Sequence, residues 1–301
     1  MPRLKRIWRN KVLYLMLSVP FVMLILFRYV PMYGVQIAFK NYKPSDTIQS
    51  ASWVGLKYVR KFFESYNFWT IMANTLTIGL YSLATFFCAP TLAICINYLT
   101  NRRLQKTVQT ITYLPHFIST VVMCSIILQF FDARNGLFNI FMGLFGVPAR
   151  NYMGIPSAFK HIYIWTGIWQ DVGYASIIYI ASLASVSPEL HEAAMIDGAT
   201  LLGRIRHVDL PSLLPTMSVL LIMRCGQVLN VGYEKVYLLQ NSMNIDASEV
   251  ISTYVYKQGL TSGLPQYSYA TAIGLFVSLI NLVLLVSVNR ITGKLSGNSL
   301  F

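Results

Sequence analysis

The sequence predicts an all-α integral membrane protein that crosses the bilayer six times. Of the 301 residues, 55% are apolar and only 12% are charged, whereas a soluble domain carries about 25% charged residues. A transmembrane helix needs about 20 apolar residues, and six stretches of the chain meet that requirement. Their bounds are 12–30, 73–98, 108–130, 161–184, 214–233 and 268–289. Only loops remain between them, so we expect one membrane domain over 1–301 and no large soluble part.

The chain is strongly basic, and the positions of its basic residues predict its orientation. Lysine and arginine total 24 against 11 acidic residues, which gives a formal net charge of +13. These residues are spread along membrane segments instead of gathered on one face, so a nucleic acid partner is not expected. If the N-terminus is inside, twelve of them fall on short cytoplasmic segments and ten on much longer external loops. Because cytoplasmic loops are enriched in lysine and arginine, we predict both termini in the cytoplasm.

The first span begins like a signal peptide. Basic residues at Arg3, Lys5 and Arg6 precede an apolar run. That run is long, however, and residues 27–31 at its end do not form a small-residue cleavage site. We therefore predict an uncleaved membrane helix.

Three external loops are predicted at 31–72, 131–160 and 234–267. They carry Trp53, Trp69 and many tyrosines, and aromatic rings anchor helix ends at the level of the lipid headgroups. We expect these loops to contain short helices that lie along the outer surface.

Motifs for catalysis, nucleotide binding and metal binding do not occur in the sequence. Neither a G-x-x-x-x-G-K-[ST] phosphate loop nor a G-x-G-x-x-G turn is found. His191-Glu192 opens like a zinc-binding helix, but the second histidine of that motif does not follow. Four cysteines lie in apolar stretches without a C-x-x-C pair and are interpreted as buried thiols: Cys88, Cys95, Cys124 and Cys225. We expect no catalytic residue, no metal site and no cofactor in this chain.

The 187–211 loop, between spans four and five, carries the most information. Ser187 and Pro188 with an acidic residue after them form a well-made helix start. Gly198 permits a left-handed turn where this helix must stop. A second helix follows, with an apolar side and a basic side, and Leu210-Pro211 is expected to end it. From these residues alone, the loop is either a protruding helix–turn–helix that binds a partner or an ordinary amphipathic connection between two spans.

In this loop Glu192-Ala193-Ala194 is followed after three residues by Gly198 and later by Leu210-Pro211. This pattern resembles the signature loop of bacterial ATP-binding-cassette (type I) import permeases. In that family the loop forms a coupling helix, which docks into a groove on a cytoplasmic ATPase subunit. Val208 stands where isoleucine is more usual. The resemblance implies docking roles for Glu192, Ala193, Ala194, Asp197, Gly198, Leu210 and Pro211.

Three further stretches are similar to carbohydrate import permeases, in particular to the branch that serves complex or acidic oligosaccharides such as alginate or pectin fragments. They are 52–59 followed by Asn74-Thr75, 113–119, and 135–139 followed by Gly146. The resemblance implies a bacterial cytoplasmic membrane protein that takes up an oligosaccharide, expected to contain uronic acids. A neutral sugar or another small solute stays open as the alternative.

The resemblance also implies partners. These are a second homologous permease subunit, two ATPase subunits that bind ATP and Mg, and an extracytoplasmic solute-binding protein. The helix at 12–30 would lie apart and clasp the second permease, and 73–289 would be the core five-helix transport unit. The external loops would form the platform for the solute-binding protein.

Polar residues in span five are the first candidates for the transport path. Arg224, Gln227, Asn230 and Glu234 follow each other at spacings of three and four, which predicts one helix face. Arg224 lies about 15 Å into the span, where an arginine costs roughly 2.5–3.5 kcal/mol on insertion scales. It therefore needs a partner. Either it meets a hydroxyl or carboxylate of the sugar, or it forms a structural pair, for example with Asp171, Glu234 or the second permease.

Span four and span six supply the other candidates. Trp165, Gln170 and Asp171 suit a sugar path, because sugars stack on aromatic rings and bond to amides. A membrane-interface role for the tryptophan and a helix–helix hydrogen bond for Gln170 explain them equally. Asn281 is a weaker candidate, and His116 after Pro115 is expected to sit at a kink.

Two other classes compete with the importer. An ion-driven transporter predicts inverted repeats and charged carboxylates in mid-membrane, and Asp171 alone fits that description. A membrane scaffold would use the 187–211 loop to bind another kind of protein.

Overall fold

The computed structural model describes residues 9–297 and residue 300, and the described chain is mostly helical. It divides into two compact units. The first holds residues up to Ser65 and Val255–Phe276, and the second holds Tyr66–Tyr254 and the residues from Val277 onward. Arg3, Lys5 and Arg6, the basic start of the predicted first span, lie outside the described residues.

The first unit begins with a long helical segment whose first part, α1, contains no buried residue. Helix α1, Lys11–Leu24, continues as a π turn at Ile25–Tyr29 and a 3₁₀ segment at Val30–Phe39. A short antiparallel pair follows, β1 (Lys40–Asn41) and β2 (Ser52–Trp53), and then α2 (Lys57–Phe63). Within the most apolar window of the α1 segment, no residue is buried. That surface needs lipid or a partner to cover it.

The second unit contains most of the helices. In chain order they are α3 (Phe68–Ala84), α4 (Cys88–Asn97), α5 (Arg102–Tyr113), α6 (Thr120–Phe130), α7 (Leu137–Gly143), α8 (Pro156–Ala184), α9 (Pro188–Ile196), α10 (Leu201–Arg204), α11 (Leu210–Cys225), α12 (Tyr233–Leu239) and α13 (Ile245–Ser248). Helices α14 (Ile251–Tyr256) and α15 (Tyr267–Ser296) each contribute residues to both units.

Several helices are long and apolar enough to cross a membrane, judged by length and composition. Within the described residues four segments qualify, and a fifth does if the bent pair 102–117 and 120–130 is one span. The four are Lys11–Phe39, Phe68–Asn97, Leu201–Cys225 and Tyr267–Lys294. Helix α8 is also long, at 29 residues, but Gln170 and Asp171 make its middle less apolar. A mostly helical chain with several apolar spans agrees with the predicted fold class, the short β1–β2 pair is an exception to it, and six remains a predicted number of spans.

The third predicted span, 108–130, is not one straight helix. Its two halves meet at an angle of 102°. A 3₁₀ turn at Leu114–Phe117 contains Pro115, which cannot donate a backbone hydrogen bond and disrupts an α-helix. Ser119 then caps the new helix by accepting a bond from the Val122 N–H at 3.4 Å. The proline thus produces the expected kink, and the kink is a sharp corner.

The fifth predicted span, 214–233, also breaks. Helix α11 ends at Cys225 and α12 begins at Tyr233. A Cβ atom on Gly226 would lie only 2.5 Å from Leu285 Cδ1, so α15 can pack closely where the helix stops. The prediction that Arg224, Gln227, Asn230 and Glu234 share one helix face is therefore wrong, because seven residues between the helices are not helical.

Helix α8 is the centre of the second unit. One apolar cluster joins it to α6 and α12, with Met123, Phe159 and Val236 fully buried. A second cluster joins it to α4 and α11 through Tyr179 and Leu213. Because α8 touches all these helices, its polar side chains are placed where the neighbouring helices converge.

Candidate functional site

A polar cavity lies in the second unit between α3, α8, α11 and α12. It consists of two hollows of about 200 and 400 Å³ that share Ser82, Tyr163 and Arg224. The polar side chains that line it are Ser82, Thr85, Tyr163, Gln170, Asp171, Arg224, Gln227, Asn230 and Lys235. Five of the predicted path residues, on α8, on α11 and in the break after it, are therefore brought together here. The cavity is polar because both α8 and the helix break after Cys225 contribute polar side chains to its lining.

Arg224 finds its partner on α3. Its Nη2 donates to Ser82 Oγ at 3.0 Å and to the Ser82 carbonyl at 3.4 Å. Among the described residues the ion pairs are His116–Asp171 and His191–Asp209, so Arg224 pairs with neither Asp171 nor Glu234. The serine bonds hold the guanidinium at the cavity, but they leave its charge without a carboxylate from the described chain.

Asp171 is held by the corner of the bent span. His116 Nδ1 lies 3.0 Å from Asp171 Oδ1. The His116 ring also stacks on Tyr174, with ring centroids 3.9 Å apart. The expectation of a satisfied histidine at the kink agrees with this geometry. Asp171 thus has a local partner while it lines the cavity.

Gln170 also stabilises the corner. Its Nε2 donates to the Ile118 carbonyl at 3.1 Å, a group that the break in the helix leaves without its regular helical partner. This is the helix–helix hydrogen bond that the sequence allowed as an alternative. Gln170 also lines the cavity, and this bond uses one of its two amide hydrogens and neither lone pair of its oxygen, so it does not exclude contact with a ligand.

Lys235 lines the cavity although the sequence placed it in an external loop. Its Nζ donates to the Tyr163 carbonyl at 3.2 Å and lies 5.0 Å from the centre of the Tyr163 ring. A Cβ atom on Gly167 would lie 3.5 Å from that Nζ, an ordinary van der Waals distance, so the ammonium lies close to this turn of α8. Lys235 belongs to α12, outside the spanning helices, and burial lowers its pKa to about 8. The Glu234-Lys235 pair next to the predicted end of span five was the one available signal.

The remaining predicted path residues do not line the cavity. Asn281 donates from Nδ2 to Asn230 Oδ1 at 3.0 Å, so it fixes the side chain of a residue that lines the cavity without lining the cavity itself. Glu234 is exposed in the first turn of α12. Trp165 lies at a separate, almost wholly apolar hollow of about 420 Å³ with Phe130. That surrounding fits the interface role of the tryptophan better than a sugar path.

The 187–211 loop forms the exposed helical turn that its residues predict. Ser187 caps α9 by accepting a bond from the Glu189 N–H at 3.3 Å, and Gly198 has φ +77°. Thr200 caps α10 by accepting from the Gly203 N–H at 3.3 Å. The predicted docking residues that are exposed are Glu192, Ala193, Asp197, Gly198, Leu210 and Pro211, and Ala194 is partly buried. Apolar side chains stand out beside them, and Ile196 is 86% exposed.

The end of this loop differs from the prediction. Leu210-Pro211 does not terminate the second helix, since Leu201–Cys225 runs on as one helical segment. A π turn at Ile205–Asp209 widens the helix just before the proline. In a regular α-helix the ring of Pro211 would clash with the carbonyl four residues earlier, and the wider turn relieves that clash. Exposure does not follow the predicted apolar and basic sides of this helix, because Leu202 is 72% exposed whereas Arg204 is partly buried.

Together these features define a helical membrane protein with a polar cavity and an exposed helical loop. Residues 87–297 match the family described as binding-protein-dependent transport system inner membrane component, and they make up more than half of the chain. The chain belongs to that family and is a transport permease.

Two curated relatives match almost the whole chain. The polygalacturonan/rhamnogalacturonan transport system permease protein YteP of Bacillus subtilis (strain 168) is 37% identical over 97% of this chain and 91% of the relative. Protein LplB of the same organism is 37% identical over 97% of this chain and 92% of the relative.

Solved structures show the same fold. One is a bacterial ABC transporter involved in the import of the acidic polysaccharide alginate. A chain of it has a TM-score of 0.89 and 35% identity, and the match covers 98% of this chain and 100% of that chain. Another is a bacterial alginate ABC transporter in complex with an alginate pentasaccharide-bound periplasmic protein, with a TM-score of 0.90, 35% identity and coverage of 98% and 99%.

Proposed function

We propose that this chain is the membrane permease subunit of an ATP-driven importer for acidic oligosaccharides. The observation that carries the proposal is the pair of cations in the polar cavity. Arg224 and Lys235 both line it, and neither forms an ion pair within the described residues. Asp171 is the one carboxylate in the lining, so the two cations exceed it by one charge. That excess favours an anionic ligand, and a guanidinium matches a carboxylate in shape. A uronic-acid oligosaccharide supplies carboxylates, and its hydroxyls suit Gln227 and Asn230.

The relatives support an acidic saccharide. YteP is a transport permease for polygalacturonan and rhamnogalacturonan, and one of the related solved transporters is involved in the import of the acidic polysaccharide alginate. The cavity of this chain has two cations, Arg224 and Lys235, for one carboxylate, Asp171, and this excess of positive charge suits such ligands.

The proposed topology has six spans, with both termini in the cytoplasm of a bacterium. The four apolar segments and the bent pair account for five spans, and the 29-residue α8 is long enough for the sixth. Its polar middle is explained if it lines a transport path. In this arrangement 12–30 is the peripheral first helix and 73–289 is the transport core.

The 187–211 loop is the proposed coupling element. Its exposed residues would dock on an ATPase subunit, and Glu192 offers a carboxylate for a basic partner group. ATP and Mg are bound by two such partner subunits, and this chain performs no covalent chemistry. Opening and closing of the ATPase pair would bias the permease between inward- and outward-facing arrangements.

Two further partners belong to the proposed complex. A second, homologous permease would complete the path, and its contact would cover exposed apolar surface such as that of α1. An extracytoplasmic solute-binding protein would deliver the oligosaccharide. Support for it comes from the family description and from the related structure that contains a periplasmic protein loaded with alginate pentasaccharide.

The substrate is tested by uptake into liposomes that contain the whole complex with its binding protein. Wild type is compared with Arg224→Gln on uronic-acid and neutral oligosaccharides of equal length. A hydrogen bond to a charged group is worth about 1.5–3 kcal/mol, so uptake of the acidic sugar should fall about tenfold or more, with little effect on any neutral sugar. Arg103→Gln is the matched control, because Arg103 is exposed outside the cavity. Uptake of neutral sugars only, or equal losses in both variants, would overturn the acidic assignment.

Coupling is tested in the same liposomes with Glu192→Ala. We expect ATP hydrolysis to lose its dependence on the loaded binding protein, with all membrane subunits still present. If no ATPase accompanies the purified permease, the importer proposal fails, and a scaffold or an ion-driven transporter takes its place.

A further inference from the structure

A buried carboxylate lies at the base of the 187–211 loop. Asp209 is fully buried, with a relative exposure of 0%. Its Oδ2 accepts a bond from the Tyr98 hydroxyl at 2.7 Å, and its Oδ1 lies 3.5 Å from His191 Nε2. Tyr98 follows α4 directly, and His191 is on α9. One side chain therefore joins the exposed docking helix to the end of a predicted membrane span.

Arg204 completes the cluster from the same loop. Its guanidinium lies 5.6 Å from the centre of the Tyr98 ring, and its Nη1 lies 3.5 Å from the sulfur of Met195 on α9. Tyr98 is thus contacted through both its hydroxyl and its ring. Two residues of α9, two residues of the following helical segment and the residue after α4 therefore form one cluster.

The π turn is what brings Arg204 and Asp209 to the same side. In an α-helix the residues that stack are three or four positions apart. A π turn holds one more residue, and here the Leu210 N–H bonds to the Ile205 carbonyl five residues earlier. Arg204 and Asp209, also five apart, can therefore both reach Tyr98. The irregular helix before Pro211 has a structural consequence that its sequence alone does not reveal.

Helix α4 connects this cluster to the polar cavity. Cys88, its first residue, lines the cavity with Phe86 and Ala89. Tyr98 follows its last residue, about 15 Å away at 1.5 Å per residue. Between these ends, Ala93 packs in the apolar cluster with Tyr179 of α8 and Leu213 of α11. A displacement of Tyr98 along α4 therefore reaches the cavity wall through packed side chains.

We propose that Asp209 is a positioning residue that couples the docking helix α9 to α4. It acts through its contact with Tyr98, and the inference rests on the proposed docking role of the 187–211 loop. Movement of the loop on its ATPase is transmitted to α4, and from there to the cavity.

The unpaired polar atoms of the cluster are consistent with a Tyr98–Asp209 hydrogen bond that breaks and re-forms during transport. Among the described residues, buried Asp209 Oδ1 and Arg204 Nε have no hydrogen-bond partner. An unpaired buried polar group costs free energy, so a second arrangement that gives either group a partner would be favoured. The Tyr98 bond is the discrete element that such a rearrangement breaks or forms.

The test is a double-mutant cycle in the complete complex with its binding protein in liposomes. The variants are Tyr98→Phe, Asp209→Asn and the two combined, which change a hydroxyl or a charge and almost no volume. The readout is the amount of oligosaccharide transported per ATP hydrolysed. We expect this ratio to fall about fivefold or more in each single variant, the low end of allosteric coupling. Tyr98→Phe removes the donor of this hydrogen bond, and Asp209→Asn removes the charge of its acceptor. The combined variant should lose no more than the worse single variant, because both changes act on one contact.

Thr107→Val is the matched control for the lost hydroxyl. Thr107 is exposed and bonds only the Arg103 carbonyl of its own helix, at 3.0 Å, so its ratio should equal that of wild type. Wild-type ratios in both single variants, or losses that add in the combined variant, would overturn the inference. So would loss of the ATPase subunits from the variant complexes, since Asp209 would then only maintain the fold.

Glu192→Ala in the same assay separates this inference from the proposed function. If Glu192→Ala uncouples hydrolysis while Tyr98→Phe and Asp209→Asn do not, the loop docks as proposed and the Asp209 inference alone fails. If Glu192→Ala also leaves transport per ATP unchanged, the docking role of the loop itself fails.

Discussion

Lys235 places an ammonium group beside an aromatic ring and a backbone carbonyl, with no carboxylate within ion-pair distance among the described residues. Burial removes water from the ammonium and disfavours its charged form. The pKa of Lys235 is therefore lowered to about 8. Below that pH the side chain is charged and attracts an anion, and above it the charge is lost.

This shift predicts a pH dependence for uptake of acidic sugars. Wild type should lose uptake relative to Lys235→Arg as the pH rises from about 7 to about 9, because arginine stays charged over that range. The ratio of the two uptake rates is measured in liposomes at each pH. Taking the ratio cancels the pH dependence of the ATPase and the binding protein. A ratio that stays constant would show that the charge of Lys235 does not assist transport.

Two of the candidate path residues have structural partners as well. Gln170 and Asp171 both bond to groups at the corner of the bent span, the Ile118 carbonyl and His116. Their residue types were consistent with either a sugar path or internal hydrogen bonds. The structure places both at the cavity and at the corner, so a substitution at either position affects the shape of the corner. Arg224 is the cleaner probe, since its bonds go to Ser82 alone.

At the scale of elements, the turn between α9 and α10 depends on one backbone conformation. Gly198 has φ +77°, a left-handed conformation that costs an L-residue about 1–2 kcal/mol. Gly203, five residues later, is helical, and its nearest neighbour to a new Cβ would be Ala199 Cβ at 3.4 Å. The backbone conformation at Gly198 therefore favours glycine, whereas the helical conformation at Gly203 accepts alanine.

Gly198→Ala should therefore reduce coupling, and Gly203→Ala should not. A cost of about 1–2 kcal/mol corresponds to roughly a fivefold to thirtyfold change in an equilibrium, so stimulation of ATP hydrolysis by the loaded binding protein should fall several-fold in Gly198→Ala. Alanine is favourable at a helical position, so Gly203→Ala serves as the control. Equal activity in the two variants would mean that the left-handed turn is not required for docking.

Helix ends show why elements are harder to predict than residues. The start of α9 follows from Ser187 and Pro188, because a cap is made by neighbours in the chain. The end of α11 at Cys225 is different. It coincides with close packing of Gly226 against Leu285 of α15, a contact between residues far apart in the sequence. An apolar stretch of suitable length predicts a membrane span, but not whether the helix is continuous through it.

At the scale of the whole molecule, the proposed orientation places the 31–72 segment outside and the 187–211 loop inside. Tyr66 is 99% exposed and Ile196 is 86% exposed, so each offers an accessible position for labelling. The four native cysteines are free thiols and are replaced by alanine for this purpose.

With single Tyr66→Cys and Ile196→Cys variants, a membrane-impermeant maleimide tests the orientation in intact spheroplasts. The cysteine at 66 should be labelled from outside, and the cysteine at 196 only after the membrane is permeabilised. Labelling of both only after permeabilisation, or the reverse pattern, would contradict cytoplasmic termini. Uptake by the cysteine-free background confirms that the complex is intact.

The local features of this protein could be inferred from the amino-acid sequence. Composition identified a helical membrane protein, and the spacing of Glu192, Gly198 and Pro211 identified the family. These features depend on hydrophobicity and on contacts between residues that are close in the sequence, so a short stretch of sequence is enough to predict them. Only the tertiary structure decided that Arg224 bonds Ser82, that Lys235 bonds the Tyr163 carbonyl, and that Asp209 bonds Tyr98. The partners in these contacts are 142, 72 and 111 residues apart, and their meeting is set by how α8 and its neighbours pack.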